Sequence, residues 1–292
     1  MSNIDLIVEE RASEVGNFLV GRLLPFRQKR AVGPFVFIDH MGPMSFSEKE
    51  NMDVGPHPHI GLCTLTYLFE GSIHHKDSLG SDVEIIPGAV NLMVAGKGVV
   101  HSERTPERLR NVAKVVHGFQ IWIALPVEEE QRQPSFHHIE ASDIPQWEEG
   151  NLSIRLIAGN LFGHQSPVPV FSPLYFIELT ASEDSIVNIG EHLFGESALY
   201  VLEGEVMIEG SHFGGKQLLI TKNAELCSFT MKKDSVVCIF GGTPLTEEHF
   251  IHWNFVSSDK GLIDKAREDW RAQRFDSIVG ETDFVPLPDF KF

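Results

Sequence analysis

A fifteen-residue segment recurs in this chain. His59 to Ile73, HIGLCTLTYLFEGSI, lies over His192 to Val206, HLFGESALYVLEGEV, at a constant offset of 133 residues and without gaps. His59 aligns with His192, Tyr67 with Tyr200, and Leu68-Phe69-Glu70-Gly71 with Val201-Leu202-Glu203-Gly204. Self-similarity of this kind marks a duplication. A chain of 292 residues is therefore expected to fold as two halves of like architecture. In each copy a strand should end at the Glu-Gly turn, with the next strand starting after it.

The architecture of each half is legible in short apolar runs such as FVFID (Phe35 to Asp39), TLTYLF (Thr64 to Phe69), VNLMVA (Val90 to Ala95) and VVHGFQIWIAL (Val115 to Leu125). They are rich in Val, Ile, Thr and aromatic residues, which suit a pleated surface. The 25 glycines and 16 prolines punctuate them at close spacing, the pattern of an all-β sandwich or barrel. Residues 128–147 are polar and weakly periodic, which predicts a linker over 131–150. The first half then occupies 1–130 and the second 151–257. From Ser258 to Phe275 the rhythm changes: Ile263, Ala266 and Trp270 fall at i, i+3 and i+7 with charges between them. This predicts one amphipathic helix capped by Ser258 or Asp259, and 258–292 is read as that helix plus an extended tail.

The charge balance narrows the partners. With 24 Lys+Arg against 41 Asp+Glu the net charge is −17, which disfavours direct contact with nucleic-acid phosphates or an anionic membrane. No run is long and apolar enough for a transmembrane helix, and the N-terminus has acidic residues where a secretory signal would have basic ones. The three cysteines, Cys63, Cys227 and Cys238, form neither CxxC nor a disulfide framework. The expected setting is a reducing compartment: cytoplasmic, or nuclear in a eukaryote.

Seven of the 14 histidines lie between His40 and His117. GPHPHIG supplies His57-x-His59 and GKGVVHSE supplies His101-x-Glu103. On a strand, residues i and i+2 face the same way, so Pro58 and Ser102 should face outward while each pair faces inward. Pro58 further implies a strand edge, a strand start or a bulge. An isolated HxH is more often a solvated turn than a metal site. Two such pairs on neighbouring strands instead predict three imidazoles and one carboxylate converging on a cation. That donor set suits Fe(II), Mn(II), Ni(II), Cu(II) or Zn(II), and the ligands alone do not choose between them. Of the other histidines, alternation sends one of His74 and His75 inward on a half-exposed hairpin. His117 reads as a hydrogen-bonded core residue, and His137 and His138 as solvated. The chain lacks the G-K-[ST] ending of a phosphate loop and the G-x-S-x-G elbow of a hydrolase.

HxH, an E-G turn, a P-G turn and G-x-x-H together resemble the two motifs of cupin barrels. More closely, PHPHIGLCTLTYLFEGSIHHKDSLGS with IIPGAVNLMVAGKGVVHSERT, VGPFVFIDHMGP, GFQIWIALP and AREDWRAQRF resembles the pirin family over nearly the whole chain. The resemblance implies a bicupin: two antiparallel β-barrels in tandem, the N-terminal one holding a single iron on His57, His59, His101 and Glu103. Two departures stand out. Cys63 occupies the position where the general cupin pattern has Glu, and it is read here as a small core residue. In the second half Gly190 matches His57 and no H-x-E follows, so that barrel is expected to be metal-free.

Pirins resemble the flavonol-cleaving dioxygenases, and this implies an Fe(II)-dependent enzyme that opens a flavonol such as quercetin with O2. Glu103 would then serve as general base, with Phe35, Phe37, Met41, Leu92 and Met93 as candidate walls of the substrate site. The competing expectation is a non-catalytic iron-dependent regulator that docks on a protein partner, a transcription factor or a metabolic enzyme.

Overall fold

The computed structural model describes residues 3–222 and 228–288, so Cys227 lies outside the described residues. The chain is mostly β with one C-terminal α-helix, and it forms two compact units. The first consists of 12–21, 39–138 and 246–292; the second of 1–11, 22–38 and 139–245.

In the first unit a four-stranded sheet runs in the order Asp53–His59, Val99–Arg104, Ile73–Asp77, Asp82–Ile85. A larger sheet runs Ser135–Ile139, Val90–Val94, Leu62–Glu70, Lys114–Ala124, and continues through this unit's parts of Phe35–Phe46, Phe18–Leu24 and Arg11–Val15. The ladders are antiparallel, and register fixes the faces. Thr64 and Thr66 lie opposite Met93 and Asn91 on one side and Trp122 and Gln120 on the other, so all six share a face. Cys63, Leu65, Leu92 and Val94 share the opposite face.

The second unit repeats this plan. Its main sheet runs Ile4–Glu9, Gln217–Thr221, Glu196–Glu203, Val236–Gly242, Leu174–Ala181, Leu152–Leu161, Gln146–Glu149, and a four-stranded sheet carries Glu205–Ile208. The repeat is structural. Leu62–Glu70 and Glu196–Glu203 both end at a Glu-Gly turn, with φ of 84° at Gly71 and 77° at Gly204. A Cβ at Gly71 would also lie 2.1 Å from the Val115 carbonyl oxygen. Only glycine meets both demands.

Two boundaries read from the sequence require correction. Residues 131–150 contain the passage between the units, at 138/139, but are not a bare linker: they hold the strands Ser135–Ile139 and Gln146–Glu149, each paired into a sheet. Nor does the first unit begin at residue 1. Ile4–Glu9 forms a ladder with Gln217–Thr221, and Phe35 packs edge-on against Phe240, with ring centroids 5.8 Å apart. Both segments therefore belong to the second unit. An open sheet edge exposes unpaired N–H and C=O groups, and the N-terminal strand satisfies that edge at long range, which local pattern does not report.

The C-terminal segment likewise belongs to the first unit. The helix spans Lys260–Arg271, and Asp259 caps it by accepting from Gly261 N–H at 2.7 Å. Its buried stripe is Ile263, Ala266 and Trp270, as the periodicity predicts. That stripe packs with Ile60, Val100 and Phe255, against the outward side of the sheet that carries the paired histidines. The tail extends the cover: Val285 N–H donates to the Pro56 carbonyl (2.8 Å), and Trp270 Nε1 donates to the Val285 carbonyl (3.0 Å).

A buried ion pair anchors the start of this segment. Glu130 accepts from Ser257 Oγ (2.6 Å) and Ser258 N–H (2.7 Å), and lies 3.1 Å from His249 Nε2. His249 Nδ1 donates to the Glu247 carbonyl and Nε2 to the Leu125 carbonyl, both at 2.9 Å. Both nitrogens face acceptors, so the imidazolium is the form that fits. Burial alone would lower the His249 pKa, but the Glu130 carboxylate and the two carbonyls raise it. Burial would raise the Glu130 pKa, but His249, Ser257 and Ser258 lower it. The raised His249 stabilises below its ordinary pKa of 6.5 and loses that contribution as pH rises through the folded value. The lowered Glu130 stabilises above 4.5 and loses its contribution as pH falls. Removing one partner of a buried pair costs about 3–5 kcal/mol. Thermal unfolding of Glu130→Gln should accordingly show its largest deficit between these two values and a smaller one on either side. A deficit that does not vary with pH would contradict the pair.

Candidate metal centre

The inward face of the four-stranded sheet carries the chemistry. Val99 pairs with His59 and His101 with His57; on the other side His101 pairs with Asp77 and Glu103 with His75. Alternation places Val99, His101, Glu103, His57, His59, His75 and Asp77 on one face. Pro58, Val100, Ser102 and Arg104 point the other way, and Ser102 and Arg104 bind Glu281 there. The strand Asp53–His59 is the sheet edge, as Pro58 requires. The register slips between His101 and Glu103, where the partner advances from His57 to Val54. This bulge beside Pro56 adjusts where Glu103 falls relative to the HxH pair.

The structure gathers His57, His59 and His101, all buried, with one ligand atom from each lying within 4.8 Å of the others. His59 Nε2 and His101 Nε2 are 3.1 Å apart. The His57 ring centroid stands 4.3 Å from that of His101 and 5.0 Å from that of His59. His57 Nδ1 donates to the Gly55 carbonyl at 2.8 Å, which leaves its Nε2 lone pair free for a ligand role. Glu103 forms a second group with His101 and His75, under the same 4.8 Å limit. His101 is common to both groups. Thr66 Oγ1 lies 3.3 Å from Glu103 Oε1 and 2.8 Å from Gln120 Oε1, joining the facing sheet to the cluster. The Trp122 ring stands 5.2 Å from that of His59.

Burial keeps the imidazoles of His57, His59 and His101 uncharged. It lowers the His57 pKa to about 4, and lowers those of His59 and His101 well below the ordinary value, helped by repulsion from the neighbouring imidazoles. Burial also raises the Glu103 pKa. Neutral imidazoles present lone pairs, the form a metal ion binds. Two nitrogens at roughly 2.1 Å from a shared ion at right angles would be roughly 3.0 Å apart, close to the observed His59–His101 separation. The residues fit a transition ion.

Several other expectations are resolved. His75 is only 3% exposed, so the half-exposed hairpin applies to His74 alone, which faces Asp82. His117 is a buried hydrogen-bonded residue, its Nε2 2.9 Å from that of His40; neither belongs to the donor groups. His138, expected to be solvated, bonds Asn91 Oδ1 at 2.6 Å from within a paired strand. Cys63 is buried on the face opposite Thr64 and Thr66, and burial raises its thiol pKa. Among the candidate walls, Met93 shares the Thr66 face, whereas Leu92 shares that of Cys63. Phe35 packs on Phe240, and Phe37 lies beneath the Arg22 guanidinium within the second unit. Met41 belongs to a core cluster with Met52, Leu68 and Val116. Sequence reasoning missed Asp77, Thr66, Gln120 and Trp122. Face parity from the register, and not local sequence, brings them to the cluster.

The second unit offers nothing comparable among the described residues. Leu199 stands at the repeat position of Thr66 and lies in an apolar cluster with Leu156, Ile177, Val201 and Ile239. His192 is exposed on a single turn, Gly190–His192, beside Phe162.

Residues 17–123 match the Pirin family model, and residues 176–276 match the Pirin C-terminal cupin domain. A pirin-like protein of Caulobacter vibrioides is 45% identical, over 98% of this chain and 100% of its own length. The chain belongs to the pirin family. It carries the family's two cupin domains, and the His/Glu cluster is a cupin metal-binding cluster in the N-terminal one. Among solved structures, a crystal structure of quercetin 2,3-dioxygenase from Acinetobacter baumannii superposes with a TM-score of 0.87 at 34% identity, covering 98% of this chain and 97% of that one. A second structure of that name from the same organism has a TM-score of 0.85 at 27% identity, covering 95% and 99%. No helix among the described residues is long and apolar enough to cross a membrane.

Metal analysis of single variants tests the assignment. His57→Ala and His101→Ala should each reduce bound metal from about one ion per chain to near zero, because a deleted imidazole breaks the donor set. His192→Ala should retain the full equivalent. Unchanged metal content in either of the first two, or loss in the third, would contradict it.

Proposed function

We propose that this pirin is a metal-dependent dioxygenase that opens the heterocyclic ring of a flavonol with O2, releasing carbon monoxide. The observation that carries the reading is the interior cluster of three neutral imidazoles and one carboxyl, in a chain similar along its length to structures named quercetin 2,3-dioxygenase. On this reading His57, His59, His101 and Glu103 would hold one iron(II). When bound, that ion supplies Lewis acidity toward an enolic hydroxyl and redox chemistry toward O2.

The protein's own groups divide the remaining work. Glu103, with one carboxylate oxygen detached from the ion, would serve as proton acceptor for a flavonol 3-hydroxyl. Thr66 Oγ1 lies 3.3 Å from Glu103 Oε1 and helps to orient that carboxyl. Met93 and Trp122 sit on the same face as Thr66 and present apolar surface to a flat aromatic substrate. Enclosure within the barrel keeps bulk water from the deprotonated ring.

Anaerobic loading with Fe(II), followed by oxygen uptake with and without quercetin, tests the reading. Uptake that depends on quercetin, with one carbon monoxide per O2, is the expected result. A metal-loaded protein that consumes no O2 would overturn it and favour the regulatory reading. In Glu103→Gln the three imidazoles should retain metal while turnover falls by about 100-fold, the ordinary scale of a lost general base; unchanged turnover would remove Glu103 from that role.

A further inference from the structure

The donor groups include a histidine that the ligand set does not use. His75 enters the interior on the strand Ile73–Asp77, where its ring stacks on Phe136 with centroids 4.5 Å apart and planes 19° apart. Its Nδ1 lies 3.4 Å from His101 Nδ1. Its Nε2 lies 3.1 Å from Asp77 Oδ2. The other Asp77 oxygen, Oδ1, accepts from Leu79 N–H and Ser81 N–H, both at 2.9 Å. The Asp77 side chain is fully buried and that of His75 nearly so.

With both imidazoles neutral, these contacts admit one consistent arrangement of protons. The carboxylate can only accept, so His75 carries its proton on Nε2. His75 Nδ1 is then a lone pair and can only accept from His101 Nδ1–H. His101 Nε2, the atom that faces His59, is in turn a lone pair. We infer that Asp77 and His75 are positioning residues that set the tautomer of His101 through two consecutive imidazoles, so that His101 offers Nε2 to the cation. This inference rests on the ligand role of His101 proposed above and extends it outward. A ligand imidazole generally donates its second nitrogen to an acceptor that fixes its orientation; here the acceptor is itself a histidine oriented by a buried carboxylate.

The turn at Leu79 and Ser81 makes Asp77→Asn a sharp test. Those two N–H groups hold the amide oxygen at Oδ1, so the amide NH2 takes the place of Oδ2. It then donates to His75 Nε2, which shifts the His75 proton to Nδ1, against His101. His101 must move its own proton to Nε2, which removes the lone pair needed for metal.

The experiment has two arms. In the metal-free chain, nitrogen-15 NMR of the imidazoles should show His101 protonated at Nδ1 in the wild type and at Nε2 in Asp77→Asn. Competition with a chelator, using Ni2+ or Zn2+ as probe, should show a loss of affinity in Asp77→Asn of about 10- to 100-fold. His75→Phe, which keeps the stack on Phe136, should weaken binding too, and Asp77→Asn should then add nothing in that background. A purely structural role for Asp77, holding its turn, would cost the same with or without His75. An unchanged His101 tautomer in Asp77→Asn, or an undiminished cost in the His75→Phe background, overturns the inference. If the wild type binds neither probe, the ligand assignment fails, and the tautomer measurement still decides the relay.

Discussion

Three imidazole rings whose centroids lie within about 5 Å of one another inside a barrel cannot share that space as cations. Like charges at such distances repel strongly where water is excluded, and burial already disfavours each charged form. The cluster is therefore held neutral, and its polar atoms need partners that are neither water nor protons. Gly55 takes one nitrogen of His57, and His75 takes one of His101. The nitrogens left facing each other form a donor set that a divalent ion fits.

The layers around the cluster follow from that demand. The sheet bearing the ligands is narrow, four strands with His57 and His59 on its edge, and its outward side would otherwise be wet. The C-terminal helix and tail cover it. Trp270 and Ile263 pack with Val100, and Arg104 binds Glu281 and Asp283. The Glu130–His249 pair fixes the start of that cover. A segment remote in sequence thereby seals the back of the metal-bearing sheet.

The duplication is informative because the two copies differ where chemistry does. Both keep the Glu-Gly turn with its left-handed glycine and the strand before it. In the first copy Thr66 reaches across to Glu103; in the second, Leu199 at the same position joins an apolar core. One framework supports a polar interior or a fully packed one, and the inward residues of a few strands make the difference.

Local periodicity determined much of this protein from its sequence alone: two β units, the helix with a cap at Ser258 or Asp259, and the inward aim of His57, His59, His101 and Glu103. Those features depend on local periodicity, which a sequence displays directly. Tertiary structure decided the rest. Which of His74 and His75 points inward depends on the register with Val99–Arg104, and the Asp77 partnership follows from that register. The assignment of Ile4–Glu9 to the second unit, and of residues 246–288 to the first, depends on which sheet edges and faces the rest of the fold leaves uncovered. Pairing across more than a hundred residues is settled by complementarity of surfaces that do not exist until the sheets form.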